Sequence, residues 1–282
     1  VHSLIDGNKG DHLITTEVEH SSLYNIFKLY EEKGYEVTYL PLQQDGTICL
    51  KQLADAIRPT TILASIQAVN GETGFIQAIE SIGALLREKD VLFHTDFVQG
   101  FGNVDLSVQE MSIDALSIAS HKIFGPKGTG LCYINPQVKW KGQVPNTSHE
   151  GGFRPGTVDV PSILAYTAAG QKAYKRIQQN KEKMTQLRHF FINKLKTTGL
   201  DFTLYESKHN QLPQIVALSF AKLQGQYMML ECNKYEVAIS TGSACQVGQQ
   251  SPSRTLLSLG KTKDEANQLV RISFANSTTE AE

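Results

Sequence analysis

The sequence is poor in features that announce a special environment. It holds four cysteines in 282 residues, Cys49, Cys132, Cys232 and Cys245, too few and too scattered for a disulfide framework. No two of them stand at the C-x-x-C spacing of zinc or redox sites, so no metal site is expected. Free thiols in a reducing, cytoplasmic setting follow. Long hydrophobic runs are also missing: stretches such as Thr61 to Val69 and Val91 to His94 fall far short of the roughly 20 residues of a spanning helix. No membrane partner is expected. Charge of one sign is not in excess, with 27 Lys+Arg against 28 Asp+Glu, which removes any global pull toward nucleic acid. Small-molecule chemistry is the better expectation. The first residue is Val1, no apolar signal core follows it, and the polar stretch Asp6 to Asp11 leads directly into a strand-like run, as in a chain whose first part is missing.

What is present is alternation. His12–Thr16, Tyr35–Leu40, Thr61–Val69 and Val91–Thr95 have the apolar, β-branched character of strands. Between them Ser21–Lys33, Leu50–Ile57 and Ile76–Lys89 carry helical periodicity. Strands that are apolar on both faces and separated by helices form parallel βαβ units, so the expected fold is α/β, a mainly parallel sheet covered by helices. Ligands in such sheets gather at the carboxyl ends of the strands. The pattern changes near Pro161, where one long amphipathic helix is expected to run to about Lys196 and end at Gly199. Short strands and helices follow over Phe202–Tyr205, Gln214–Phe220, Tyr227–Asn233, Val237–Ser240 and Asp264–Phe274, with His209-Asn210-Gln211 as an exposed loop. This divides the chain into a large α/β domain, residues 1–160, and an interdomain helix with a smaller α+β domain, residues 161–282. There is no internal repeat.

Three places carry chemistry. Ser120-His121-Lys122 follows the strand-like Ala115–Ile118, which puts Lys122 at a strand's carboxyl end, where a desolvated amine can form a Schiff base with a carbonyl cofactor; a surface lysine beside a glycine turn is the plainer alternative. Asp96 closes an otherwise apolar strand, where a carboxylate can hold the protonated nitrogen of a pyridine ring, or simply cap a helix. Cys245 lies among small residues, Gly242-Ser243-Ala244, ahead of the polar stretch 246–253, whereas Cys49 and Cys132 sit in apolar surroundings typical of structural thiols.

Together with Thr16-Glu17-Val18-Glu19-His20, Val69-Asn70-Gly71-Glu72-Thr73-Gly74, His94-Thr95-Asp96, Arg154-Pro155-Gly156-Thr157 and Arg271-Ile272-Ser273, these places resemble the NifS/IscS-type cysteine desulfurases, fold-type I enzymes that use pyridoxal 5′-phosphate. The resemblance implies a catalytic set of Lys122, Cys245 and His20. It implies that Lys122 binds the cofactor and moves the substrate's α-proton, Asp96 partners the pyridine nitrogen, Gln99 donates to the ring's phenolic oxygen, and His20 stacks on the ring and shuttles protons. His121 would contact the phosphate, and Thr157 would reach the phosphate bound in the other subunit of a homodimer. Arg271 would grip the substrate carboxylate, with Asn70 beside the substrate. L-cysteine would leave as L-alanine, with its sulfur on Cys245 as a persulfide destined for an acceptor protein, a scaffold or a tRNA-thiolating enzyme.

The chain departs from that pattern at Gly71, where asparagine is usual, at Phe97, where alanine is usual, and at Ala119, where a phosphate-binding serine is common, although Ser120 adjoins it. Gly151 and Asn276-Ser277 replace arginine-bearing positions, and neither a Ser-Gly-Ala-Thr-Glu phosphate loop nor a closing helix is present. Two alternatives therefore stand beside a desulfurase: an impaired homologue or fragment serving as a dimerisation or binding partner, and a selenocysteine lyase. A same-fold aminotransferase is disfavoured, because that reaction needs no thiol.

Overall fold

The computed structural model describes residues 1–242 and 251–281, which form two compact units. The first comprises Val1–Leu40, Cys49–Ala68 and Ala78–Arg176. Its sheet has the order β2-β1-β3-β4-β5-β6, from β1 (His12–Thr16), β2 (Glu36–Leu40), β3 (Thr61–Ser65), β4 (Leu92–Asp96), β5 (Ala115–Ala119) and β6 (Gly130–Ile134). The first five strands in this order are mutually parallel, and β6 runs antiparallel on β5. A helix precedes β1, α1 (His2–Gly7), and helices α2 (Ser21–Glu32), α3 (Leu50–Ala56) and α4 (Ile79–Glu88) follow β1, β2 and β3. Leu13, Phe27, Tyr30 and Leu63 join Leu4 and Ile5 of α1 in one buried cluster. Every residue of β1 is buried.

The second unit gathers Pro41–Ile48, Val69–Gln77 and the chain from Ile177 onward. An antiparallel sheet, β7 (Phe202–Tyr205), β8 (Ile215–Phe220) and β9 (Val270–Ser273) in the order β7-β8-β9, centres on buried Val216, Leu218 and Val270.

Several expectations change. The long helix is two helices, α5 (Val160–Tyr174) and α6 (Ile177–Thr197), interrupted at Lys175-Arg176. The compact units also part there, between Arg176 and Ile177, and not at residue 160. Leu164 in α5 is 64 % exposed, while Met184 and Leu187 in α6 are buried. No proline or glycine marks the break, so the periodicity ran through it. Val237–Ser240 makes only an isolated bridge, Ser240 to Arg271. Gln211 is no free loop residue: it bridges Phe75, and its Nε2 donates to the Thr73 carbonyl at 2.8 Å. Helices α7 (Gly225–Lys234), α8 (Arg254–Ser258) and α9 (Lys263–Ala266) complete the unit. Among the described residues no helix is long and apolar enough to cross a membrane, and no group of His, Cys, Asp and Glu could hold a metal ion.

Candidate active site

β4 and β5 deliver the central groups of the first unit from their carboxyl ends. Asp96 is the last residue of β4, its Oδ1 accepting the Val98 N–H at 2.9 Å. Burial holds its carboxyl above the ordinary aspartate range, against the pull of that N–H and of the positive charges of His20 and Lys122. Those charges bear on one carboxylate although the residues come from three different connections. β5 runs into a short 3-10 turn, Ser120–Ile123, that carries His121 and Lys122 on its exposed side and ends at Phe124 in the left-handed conformation (φ 64°). Burial, then Lys122, Lys127 and His20, depress the proton affinity of His121.

The turn is tightly specified. Ser120 is fully buried, and a Cβ at Gly125 would lie 2.0 Å from its hydroxyl, so only glycine fits there. The Ser120 hydroxyl is buried beneath the turn. Phe97 is likewise resolved: its ring is 1 % exposed and lies against Gly100, where a Cβ would meet it at 2.8 Å. Adjacent residues of an extended chain face opposite sides, so the bulky ring goes into the core while Asp96 keeps the other side. Gln99 is half-buried in the same turn, its carbonyl accepting from Asn103 Nδ2 at 3.0 Å.

His20 is the N-cap of α2, its Nδ1 accepting the Ser22 N–H at 3.3 Å and lying 2.8 Å from the Ser22 hydroxyl. Beneath it, Glu19 is 1 % exposed, and its Oε1 accepts from the Thr16 hydroxyl and from the Gln67 N–H, both at 2.8 Å. That carboxylate ties the β1–α2 turn to the end of β3. Sequence reasoning passed over it, although it lies in the block that carried His20. Thr157 is exposed on its own loop.

In the second unit, Asn70 is 2 % exposed and organises its own turn: Oδ1 accepts from Glu72 N, Thr73 N and the Thr73 hydroxyl at 2.9–3.0 Å, and Nδ2 donates to Thr255 Oγ1 at 3.1 Å. Its amide is engaged in structure rather than displayed to a substrate. Arg271, on β9, donates from Nη1 to the carbonyls of Gly71 at 2.9 Å and Gly242 at 3.2 Å. Cys245 lies outside the described residues.

A buried carboxylate accepts the N–H of a pyridinium, and an amine and an imidazole share its field. This donor set fits pyridoxal 5′-phosphate, with Asp96 at the ring nitrogen and Lys122 at the carbonyl.

The aminotransferase class-V family model matches residues 1–282. A NifS-named cysteine desulfurase relative from Bacillus subtilis (strain 168) is 43 % identical over 99 % of this chain and 72 % of its own length. The cysteine desulfurase IscS of Clostridium botulinum (strain Kyoto / Type A2) is 36 % identical over 96 % of this chain and 69 % of its own. Among solved structures, a NifS-like protein superposes with a TM-score of 0.90 at 26 % identity, covering 99 % of this chain and 75 % of that one. SspA, solved in complex with cysteine, gives 0.77 at 32 % identity over 94 % and 73 %. The chain belongs to the class-V aminotransferase family, among its NifS/IscS cysteine desulfurases, a family that works with pyridoxal 5′-phosphate.

Proposed function

We propose that this protein is a cysteine desulfurase that takes the sulfur of L-cysteine onto Cys245 and releases L-alanine. The observation that carries this reading is that the carboxyl ends of the adjacent strands β4 and β5 present Asp96 and, one short turn on, Lys122. Bound pyridoxal 5′-phosphate supplies an electron sink when the substrate's α-C–H bond breaks. The protein's side chains do the rest. Asp96 would hold a negative charge at the ring nitrogen, and Gln99 and His121 would lend polar contacts around the cofactor. Lys122 takes the α-proton and returns a proton during release of alanine. Arg271, anchored on the Gly71 and Gly242 carbonyls, receives the substrate carboxylate, and Asn70 shapes the turn that carries Gly71. The Cys245 thiolate attacks the substrate sulfur, an S–S bond replaces the substrate's C–S bond, and the persulfide passes to an acceptor protein, in a cytoplasmic setting.

We read the active protein as a homodimer in which Thr157 serves the neighbouring subunit. What supports this is an exposed apolar run just beyond Thr157, where Val160 is 54 % and Leu164 64 % exposed.

The test is conversion of L-cysteine by the cofactor-loaded protein. Alanine should appear, and peptide mapping should show about 32 Da added at Cys245, the mass of the one sulfur atom that a persulfide carries. Lys122→Ala should lower alanine formation by about a thousandfold or more. Alanine formation by Cys245→Ala would overturn the nucleophile, and faster turnover of selenocysteine would make the protein a selenocysteine lyase.

A further inference from the structure

The turn at residues 70–74 gathers groups from both sides of the stretch that carries Cys245. On the entering side, Arg271 Nη1 donates to the carbonyls of Gly71 and of Gly242, the last described residue before that stretch. On the leaving side, Ser253 opens α8, its Oγ accepting the Leu256 N–H at 3.2 Å. That leaves the hydroxyl proton to be given away, and Glu72 Oε2 receives it at 2.5 Å, the separation of a charge-assisted O–H···O bond. The other carboxylate oxygen of Glu72 lies beside Gly242, where a Cβ would come within 3.5 Å of it. α8 is only five residues long and is fixed from outside. Glu72 and Asn70 hold its start through Ser253 and Thr255, and at its far end the Leu42 N–H donates to the Ser258 hydroxyl at 2.9 Å and Gln44 Nε2 to the Leu259 carbonyl at 3.2 Å. Glu72 itself has none of the tasks assigned at substrate or cofactor.

We infer that Glu72 is a positioning residue for the sulfur-accepting step: its carboxylate, seated between Gly242 and Ser253, keeps the two flanks of the Cys245 stretch on one turn and so sets how often the thiolate meets the substrate sulfur. This rests on the reading of Cys245 as the nucleophile. A chain pinned at both ends has fewer arrangements to search than one pinned at a single end, so the tie raises the effective concentration of the thiol. A division of labour follows. Removal of the α-proton by Lys122 uses neither flank and is indifferent to Glu72, whereas attack on sulfur depends on it.

The test separates the two steps in cofactor-loaded protein. Exchange of the α-hydrogen of L-alanine in D2O needs Lys122 and no thiol, while alanine formation from L-cysteine needs both. Glu72→Ala should lower alanine formation by about tenfold or more and leave the exchange within about twofold of wild type; an equal fall in both would make Glu72 merely structural and overturn the inference. Ser253→Asp preserves the α8 cap, aspartate being as good a capping residue as serine, but sets two carboxylates against each other. It should be slowed as Glu72→Ala is. Glu72→Gln on that background offers an amide donor to the new carboxylate and should restore alanine formation to within about threefold of wild type; absence of rescue would overturn the pairing. In cofactor-free protein, amide hydrogen exchange over residues 253–258 should quicken by about tenfold in Glu72→Ala, and unchanged protection would equally overturn the inference. Should the wild-type protein fail to convert cysteine, the reading of its activity would fall, while the amide exchange of α8 would still decide whether Glu72 holds this flank.

Discussion

Asp96 and His94 stand two residues apart on β4 and respond to pH with opposite signs. Burial depresses the proton affinity of His94 far below the ordinary histidine range. The unfolded chain then binds a proton that the folded one refuses, so this contribution to stability is complete above a pH of about 6.5 and is lost as pH falls below it. His12, depressed in the same direction, acts in the same window. The midpoint of urea unfolding should fall between pH 7.5 and 5.5, each about one unit from the reference value, and His94→Asn should flatten that slope. For Asp96 the folded group is the better proton binder. Its ionised form costs stability, a cost that is absent below the unfolded value near 3.8 and complete once pH has risen through the raised value. Asp96→Asn should therefore leave the cofactor-free protein as stable at pH 7 or more so, while lowering alanine formation by about a hundredfold. A loss of both together would mean that Asp96 has a structural role.

At the scale of elements, the turn after β5 is the place where shape is least negotiable. Gly125→Ala forces a Cβ onto the Ser120 hydroxyl and should cost about 1–3 kcal/mol; adding Ser120→Ala removes the obstructing oxygen and should recover part of it, as thermal unfolding would show. β1, β3 and β4 were legible in the sequence because they are buried along most of their length, and Asp96 and Lys122 because the one closes such a strand and the other follows one; β6, exposed over its first three residues, went unread. The break between α5 and α6 was not legible: it carries no glycine or proline, and the two helices bury different kinds of contact, Tyr166 in one and Met184 and Leu187 in the other. The orientation of Phe97 was also hidden, because it depends on Gly100 folding back toward the ring. The roles of Glu19 and Asn70 lie in hydrogen bonds to main-chain groups, which composition does not display. The cap at His20 was hidden too, because it depends on a ring nitrogen meeting the main chain two residues on.

For the whole molecule, the apolar run beyond Thr157 gives the dimer a direct test. Leu164→Asp should weaken self-association by about tenfold or more, seen as a concentration-dependent fall in mass by light scattering, with secondary structure retained because the residue is solvent-facing. An unchanged mass would place any dimer contact elsewhere.

The second unit is stitched from three stretches far apart in the sequence, Pro41–Ile48, Val69–Gln77 and Ile177–Glu282. Phe75 pairs with Gln211, and Asn70 bonds to Thr255, across gaps of well over a hundred residues. During translation, its early pieces must wait for the final third of the polypeptide before they find their neighbours, whereas β1 to β5 can zip together almost as they emerge. Residues 177–282 expressed alone would consequently be an orphan half-built body, unable to reach this fold until the two short peptides are returned to it.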